Sequence, residues 1–213
     1  MTAPSYRIGI LGGTFNPVHN GHLLIAREAL RKFRLDRILF IPVALPPHKA
    51  PADLAPASNR LAMLGLALRG KKKFSISRLE IARGGKSYTA RTVRELKKRF
   101  PRAEIYLIVG ADNLQEIASW KRIGEVVRRG RFIVVTRPGF PLRDIAGENA
   151  AWAGRILSPG ADNLIELELP VSSSGIRERA RRGMSLKGLV PPAVSRYIRE
   201  KALYGGRTQG SPL

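Results

Sequence analysis

The sequence predicts an α/β protein built on a doubly wound parallel sheet, and three observations carry that expectation. Arg7-Ile8-Gly9-Ile10-Leu11 is a short apolar run that ends in Gly12-Gly13, the pattern of a buried strand entering a tight turn. A helix-spaced segment and a second apolar run follow it at once, which makes a βαβ unit with parallel strands and a right-handed crossover. The same alternation of helix and strand then recurs downstream. In such a sheet the ligand site is expected at the carboxyl ends of the strands.

Each element has its own signal. After the first strand, His22 to Phe33 carries Leu23, Leu24, Ala26, Ala29 and Leu30 at helical spacing, and Arg37 to Pro42 is the second strand. Pro42 to Pro56 is a Pro-rich loop, Asn59 to Leu68 a helix with Leu61, Met63, Leu64 and Leu66, and Phe74 to Ile81 alternates as a strand. Ser87 to Arg99 reads as a helix and Ile105 to Val109 as a strand. Two short helices, Asn113 to Ala118 and Ile123 to Arg129, precede a strand at Phe132 to Thr136. Arg137 to Gly160 is irregular and broken by Pro and Gly. Leu164 to Leu169 is expected as the last strand, Ser173 to Arg182 as the helix after it, and Pro191 to Leu203 as a final amphipathic helix. No linker or internal repeat divides the chain, so residues 1–204 are expected to form one domain with a C-terminal helical region, and 205–213 a frayed tail.

Composition narrows the function classes. The chain has 213 residues, 38 of them Lys or Arg against 16 Asp or Glu, for a net charge of +22. It is too apolar for a disordered basic tail. With no Cys, a disulfide framework, a thiolate zinc site and a Cys nucleophile are all excluded. No segment approaches the roughly 20 apolar residues that span a bilayer, and no signal-peptide core precedes the first strand, so a soluble cytoplasmic protein is expected. The positive field favours anionic partners: nucleic acid, nucleotides or phosphates. The basic residues run from Arg7 to Arg207 and mostly read as solvated helix faces, so charge alone does not choose between a polymer and a mononucleotide.

The most informative stretch is Gly12-Gly13-Thr14-Phe15-Asn16-Pro17-Val18-His19-Asn20-Gly21-His22. Paired glycines after a strand let the backbone come close to a ligand, and His19 and His22 can share one face of the first helical turn, where free N–H groups and the helix dipole favour an anion. No Gly-Lys-Ser/Thr follows and the Gly-x-Gly-x-x-Gly spacing is absent, so this is neither a Walker A loop nor the dinucleotide fingerprint. Ser172-Ser173-Ser174 after a strand, with Arg177 in the following turn, makes a second anion site. Taken alone, those serines would also make an ordinary cap. Pro46-Pro47-His48-Lys49 is a stiff loop presenting an imidazole and an ammonium, and as a solvated turn it is equally ordinary. Ser87-Tyr88-Thr89, Trp120 and Gly110-Ala111-Asp112 likewise read as readily as a cap, a packed aromatic and a helix start.

His19-Asn20-Gly21-His22 resembles the His-x-Gly-His signature of the nucleotidyltransferase superfamily, which includes adenylyltransferases and class I aminoacyl-tRNA synthetases. Together with Phe40-Ile41-Pro42, Pro46-Pro47-His48-Lys49, Ser87 to Thr92, Gly110-Ala111-Asp112 with Trp120, Val171 to Arg177 and the ending Leu189 to Tyr204, the chain resembles the bacterial nicotinate-nucleotide adenylyltransferases from about Arg7 to Tyr204. The resemblance implies a Rossmann-like nucleotidyltransferase fold and transfer of the adenylyl group of ATP to nicotinate mononucleotide, giving deamido-NAD and pyrophosphate. It implies catalytic roles for His19, His22, Lys49 and Arg177, and ATP contacts from Gly12, Gly13, Thr14, Phe15, Gly110, Asp112, Ser173 and Ser174. His48, Tyr88, Thr89 and Trp120 would hold the mononucleotide, with the Trp ring on the pyridine. Mg²⁺ is expected bound through the triphosphate, and no metal site built by the protein. Two departures stand out: Ser174 replaces the usual Thr, and Asn16 replaces the usual Asp before Pro17; Asn16 is read as a turn residue. Partners are expected to be ATP and nicotinate mononucleotide, with no membrane, with nucleic acid disfavoured despite the basic charge, and with a homo-oligomer compatible with the sequence. The rival substrates on the same fold are nicotinamide mononucleotide and phosphopantetheine, and the rival class is an RNA-binding module motivated by the charge. A class I synthetase would need an anticodon domain that 213 residues do not accommodate.

Overall fold

A computed structural model describes residues 6–45, 54–114, 117–136, 138, 154, 156–157 and 162–205. Its strands are β1 (Tyr6–Gly13), β2 (Arg37–Pro42), β3 (Phe74–Ile76), β4 (Ala103–Gly110), β5 (Arg131–Thr136) and β6 (Leu164–Glu166). They form one sheet in the order β3-β2-β1-β4-β5-β6, and every neighbouring pair is parallel. The helices are α1 (Asn20–Lys32), α2 (Ala57–Leu68), α3 (Leu79–Arg83), α4 (Thr89–Arg99), α5 (Ala111–Leu114), α6 (Ile123–Arg129), α7 (Ser173–Arg181) and α8 (Pro192–Glu200), with single 3₁₀ turns at Ile117–Ser119 and Leu203–Gly205.

The two faces of the sheet follow from the period of the strands. Ile38 and Phe40 of β2, Tyr106 and Ile108 of β4, and Ile133 and Val135 of β5 bury one face against Ala26 and Ala29 of α1, Met63 and Leu64 of α2, Ile176 of α7 and Val194 of α8. The alternate residues point the other way. Ile8, Ile10, Leu39, Ile41 and Ile105 pack with Leu96 of α4, while Leu107, Phe132 and Val134 pack with Val93 of α4 and Val126 of α6. A doubly wound sheet results, and its strand order reverses direction between β1 and β4, the crevice where such sheets bind ligands. Gly9 sits where β1 is most crowded: a Cβ there would lie 2.7 Å from Ile38 Cδ1 and 2.8 Å from Leu35 Cδ1.

The element order matches the sequence pattern, and several boundaries differ for definite reasons. The strand expected over Phe74 to Ile81 ends at Ile76, and Leu79–Arg83 is a helical turn closed by Gly84 at φ +68°. There Glu80 is buried and its carboxylate receives a hydrogen bond from Thr92 Oγ1. The last strand stops at Glu166 instead of Leu169, because its partner β5 ends at Thr136, which pairs with Glu166. The helix expected from Ser87 begins at Thr89: Ser87 is buried and its Oγ accepts a hydrogen bond from Ala44 N at 3.1 Å, so it ties two loops together instead of capping. The short helix expected at Asn113 starts earlier, at Ala111, and is followed by the 3₁₀ turn. The final helix ends at Glu200. Most of the irregular stretch 137–160 and the tail beyond Gly205 lie outside the described residues. No helix among the described residues is long and apolar enough to cross a membrane.

Candidate active site

Two helix starts meet at the carboxyl edge of β1. The first is built by the glycine turn. Gly12 is exposed and a Cβ there would meet nothing of the protein within 4 Å, so its backbone lies open to an approaching ligand. The chain then passes through Phe15, whose φ of 48° is left-handed and whose ring is fully buried beneath Gly13. His19 is the N-cap of α1. Its Nδ1 accepts from His22 N at 3.4 Å, and His22 Nδ1 accepts in return from His19 N at 3.2 Å, a reciprocal capping box made of two imidazoles. The rings stack with centroids 3.7 Å apart, and Phe15 meets His22 edge-on at 5.0 Å.

This geometry fixes the chemistry of both histidines. A ring nitrogen that accepts from a backbone N–H carries no proton, so each neutral imidazole holds its proton on Nε2. Burial pulls His19 down to a pKa of about 4, and His22 is held well below the ordinary imidazole value by burial and then by the neighbouring His19. At neutral pH the pair is uncharged and each ring keeps an Nε2–H donor at the start of α1, where Asn20 N and His22 N are already engaged by Leu189 O and His19. Gly21 between them leaves room for this packing: a Cβ would lie 3.0 Å from both His19 Nδ1 and Val171 Cγ1, so either the ring or the valine would have to shift.

The second helix start is α7. Ser172 Oγ caps it by accepting from Gly175 N at 3.1 Å and lies 3.1 Å from Ser174 Oγ. Ser173 Oγ donates to Pro17 O at 3.0 Å, and Arg177 Nη1 donates to Asn16 O at 3.0 Å. These two bonds span more than 150 residues of sequence and lock the start of α7 to the turn before α1. Asn20 completes the join from the other side, with N on Leu189 O at 2.9 Å and Nδ2 on Gly188 O at 2.8 Å. The arrangement brings backbone amides of α7, hydroxyls, two neutral imidazole donors and a guanidinium around one crevice, the donor set for a chain of phosphate groups.

The other expected residues divide into three groups. Gly110 ends β4 and Asp112 lies exposed in the next turn, at the carboxyl edge beside β1. Tyr88 is the N-cap of α4 and Thr89 its first residue; Lys121 Nζ lies 5.1 Å over the Tyr88 ring, which brings the neighbourhood of Trp120 to the same end of the sheet. Trp120 itself is partly buried against the core behind α4 and α6. His48 and Lys49 lie outside the described residues. Because the Phe15 side chain is fully buried, this residue can meet a nucleotide only through its backbone.

Sequence reasoning missed two residues and undervalued a third. Arg60 is buried, as is Asn16. Asn16 Oδ1 accepts from Ala55 N at 3.1 Å and from Tyr204 Oη at 2.9 Å, so the residue read as a simple turn former joins the β1 loop to the end of the chain. Burial raises the Tyr204 phenol well above its ordinary pKa, which keeps it a hydrogen-bond donor. A signal for Arg60 existed: it precedes Met63 and Leu64 by three and four residues, which puts a charge on the apolar stripe of α2.

Residues 10–179 match the Cytidylyltransferase-like family. The curated "Probable nicotinate-nucleotide adenylyltransferase" of Saccharopolyspora erythraea is 40% identical over 94% of this chain and 90% of its own length. The protein of the same name from Geobacillus kaustophilus is 43% identical over 95% of this chain and 88% of its own. Among solved structures, nicotinic acid mononucleotide adenylyltransferase of Plasmodium falciparum complexed with NaAD shares the fold, with a TM-score of 0.77 at 20% identity over 96% of this chain and all of that one. The chain belongs to the Cytidylyltransferase-like family, and within it to the nicotinate-nucleotide adenylyltransferases.

Proposed function

From that membership and the joined helix starts, we propose that this protein transfers the adenylyl group of ATP to nicotinate mononucleotide, giving deamido-NAD and pyrophosphate. The observation that carries the mechanism is the pair of bonds from Ser173 to Pro17 O and from Arg177 to Asn16 O, which turn two separate phosphate-binding devices into one. In this reading the triphosphate of ATP lies across both helix starts, with Mg²⁺ entering as part of the nucleotide because hard cations prefer phosphate and water oxygens. Gly12, Gly13, Thr14 and Phe15 contribute backbone contacts, Ser173 and Ser174 the second amide and hydroxyl cluster, and Gly110 and Asp112 the ribose side. Tyr88, Thr89, Trp120 and His48 receive the mononucleotide, whose carboxylate suits the start of α4.

The chemical step forms a bond from a phosphate oxygen of the mononucleotide to the α-phosphorus and breaks the bond to the bridging oxygen of the leaving pyrophosphate. The attacking phosphate is already ionised at pH 7, so no protein base is needed. Catalysis then consists of holding the two reactants in line and stabilising charge on the oxygens that gain it. His19 and His22 do this through Nε2–H dipoles, and Arg177 and Lys49 through full charges. Neutral donors suit the reacting phosphorus: they stabilise developing charge without holding the product as tightly as a cation would.

The test is pyrophosphate release from ATP with nicotinate mononucleotide, nicotinamide mononucleotide and phosphopantetheine side by side. The acid mononucleotide is expected to support turnover far better than the others. A strong preference for the amide or for phosphopantetheine overturns the substrate assignment; salt-sensitive RNA binding without any pyrophosphate release overturns the enzyme reading.

A further inference from the structure

Arg60 is 1% exposed and sits on the face of α2 that carries Met63, Leu64, Ala67 and Leu68. Its Nε donates to Ala55 O at 3.0 Å, its Nη1 to Thr14 O at 3.0 Å and Val43 O at 2.7 Å, and its Nη2 to Ala44 O at 3.2 Å. All four acceptors are backbone carbonyls, and among the described residues no carboxylate pairs with it. Burying a cation costs several kcal/mol, and burial accordingly lowers the pKa of this guanidinium. A Met or Leu would pack the same stripe without that penalty. What the guanidinium alone can do is draw four oxygens from three chain segments to one point, in the fixed plane of its fork.

Those segments are the ones that frame the site. Thr14 follows the glycine turn, Val43 and Ala44 follow β2, and Ala55 precedes α2. They are cross-tied independently by Val43 N to Gly13 O at 3.0 Å and by Ala55 N to Asn16 Oδ1. In sequence, Ala44 and Ala55 flank the segment that contains His48 and Lys49. We propose that Arg60 is a positioning residue for adenylyl transfer: its buried guanidinium sets the separation between the phosphate turn after β1 and the chain on either side of the His48-Lys49 segment, without itself touching the nucleotide. This rests on the nucleotide reading given above.

Arg60→Lys keeps the charge but cannot satisfy four divergent carbonyls. It is expected to lower kcat roughly 100-fold, as small misplacements of reacting groups do, while the Kd for ATP stays within about threefold of the parent. Both are read per folded molecule, with folding checked by circular dichroism at the assay temperature. A residue that only supported the fold would lower the melting temperature and leave kcat of the folded fraction intact, and that outcome overturns the proposal, as does a folded Lys variant with parental kcat. A second measurement needs no variant: the ¹⁵N signal of the Arg60 Nε–H group is followed in the parent protein during an ATP titration, beside the imidazole signals of His22. Arg60 is expected to shift with the same saturation curve as His22. Movement of His22 with a stationary Arg60 overturns the role of Arg60, whereas stationary signals at both overturn the nucleotide reading together with it.

Discussion

The starts of α1 and α7 are the same device made twice, a helix entered from an extended N-cap beside one crevice, yet they differ in kind. At α1 the side chains are imidazoles, packed against each other and against Phe15, and burial keeps them neutral. At α7 they are exposed or half-buried hydroxyls with an arginine behind them. The contrast teaches a division of labour. On the proposed reading, the dry, neutral donor pair is reserved for the transition state, where preorganised dipoles count most, while the wet, charged end both captures the anion from water and helps hold the oxygens that gain charge. The two are useful only together, and the chain joins them by direct hydrogen bonds.

If that division is right, breaking each end should have a different signature. The largest effect is expected from His22→Ala: a fall in kcat of about 100- to 1000-fold, the scale for losing a preorganised donor, with much less change in ATP affinity. Steady-state kinetics beside direct ATP binding would show it, and equal losses in both would reduce His22 to a binding residue. Next comes the acid limb of stability. The His19 pKa is lower in the fold than the ordinary 6.5, so the unfolded chain binds protons first as pH falls. Stability should be complete above pH 6.5 and decline down to about pH 4, by up to about 3 kcal/mol at 1.36 kcal/mol per unit. Denaturant melts across that window measure it, and His19→Gln should flatten the slope; an unchanged slope would mean that the buried neutral imidazole is not its source.

At the α7 end, Arg177→Lys should act on capture: an increase of roughly tenfold in KM for ATP with a smaller fall in kcat, since the bidentate fork is lost and the charge is kept. A kcat effect as large as that of His22→Ala would erase the distinction between the ends. The smallest effect is expected where the ends are tied. Ser173→Ala removes one hydrogen bond to Pro17 O, worth about 1 kcal/mol, and thermal melts with kinetics should show a modest loss of stability and of kcat together.

Much of this could be read before any coordinates were known, and the reasons are local. The βαβ start, the apolar runs of β2, β4 and β5 and the glycine turn carry their own signals within a few residues, so the sheet and the position of His19 and His22 at its edge were legible. The tautomers were not: they depend on a capping box in which each ring accepts from the other's backbone, a reciprocity that spacing permits but does not require. Phe74 to Ile81 misled because Phe74 and Ile76 on the strand and Leu79 and Ile81 on the helical turn after it each show a two-residue apolar spacing, although its phase shifts between the two pairs. Arg60, Asn16 and Tyr204 were obscure for a further reason: their partners are backbone carbonyls and an amide far along the chain, and such bonds leave no pattern in the residues that accept them.

A crystal structure with a non-hydrolysable ATP analogue tests the central claim most directly. One triphosphate should bridge the two helix starts, with Nε2 of His19 or His22 and the guanidinium of Arg177 each about 3 Å from its oxygens. A nucleotide bound at one start alone, or away from both, would contradict the account.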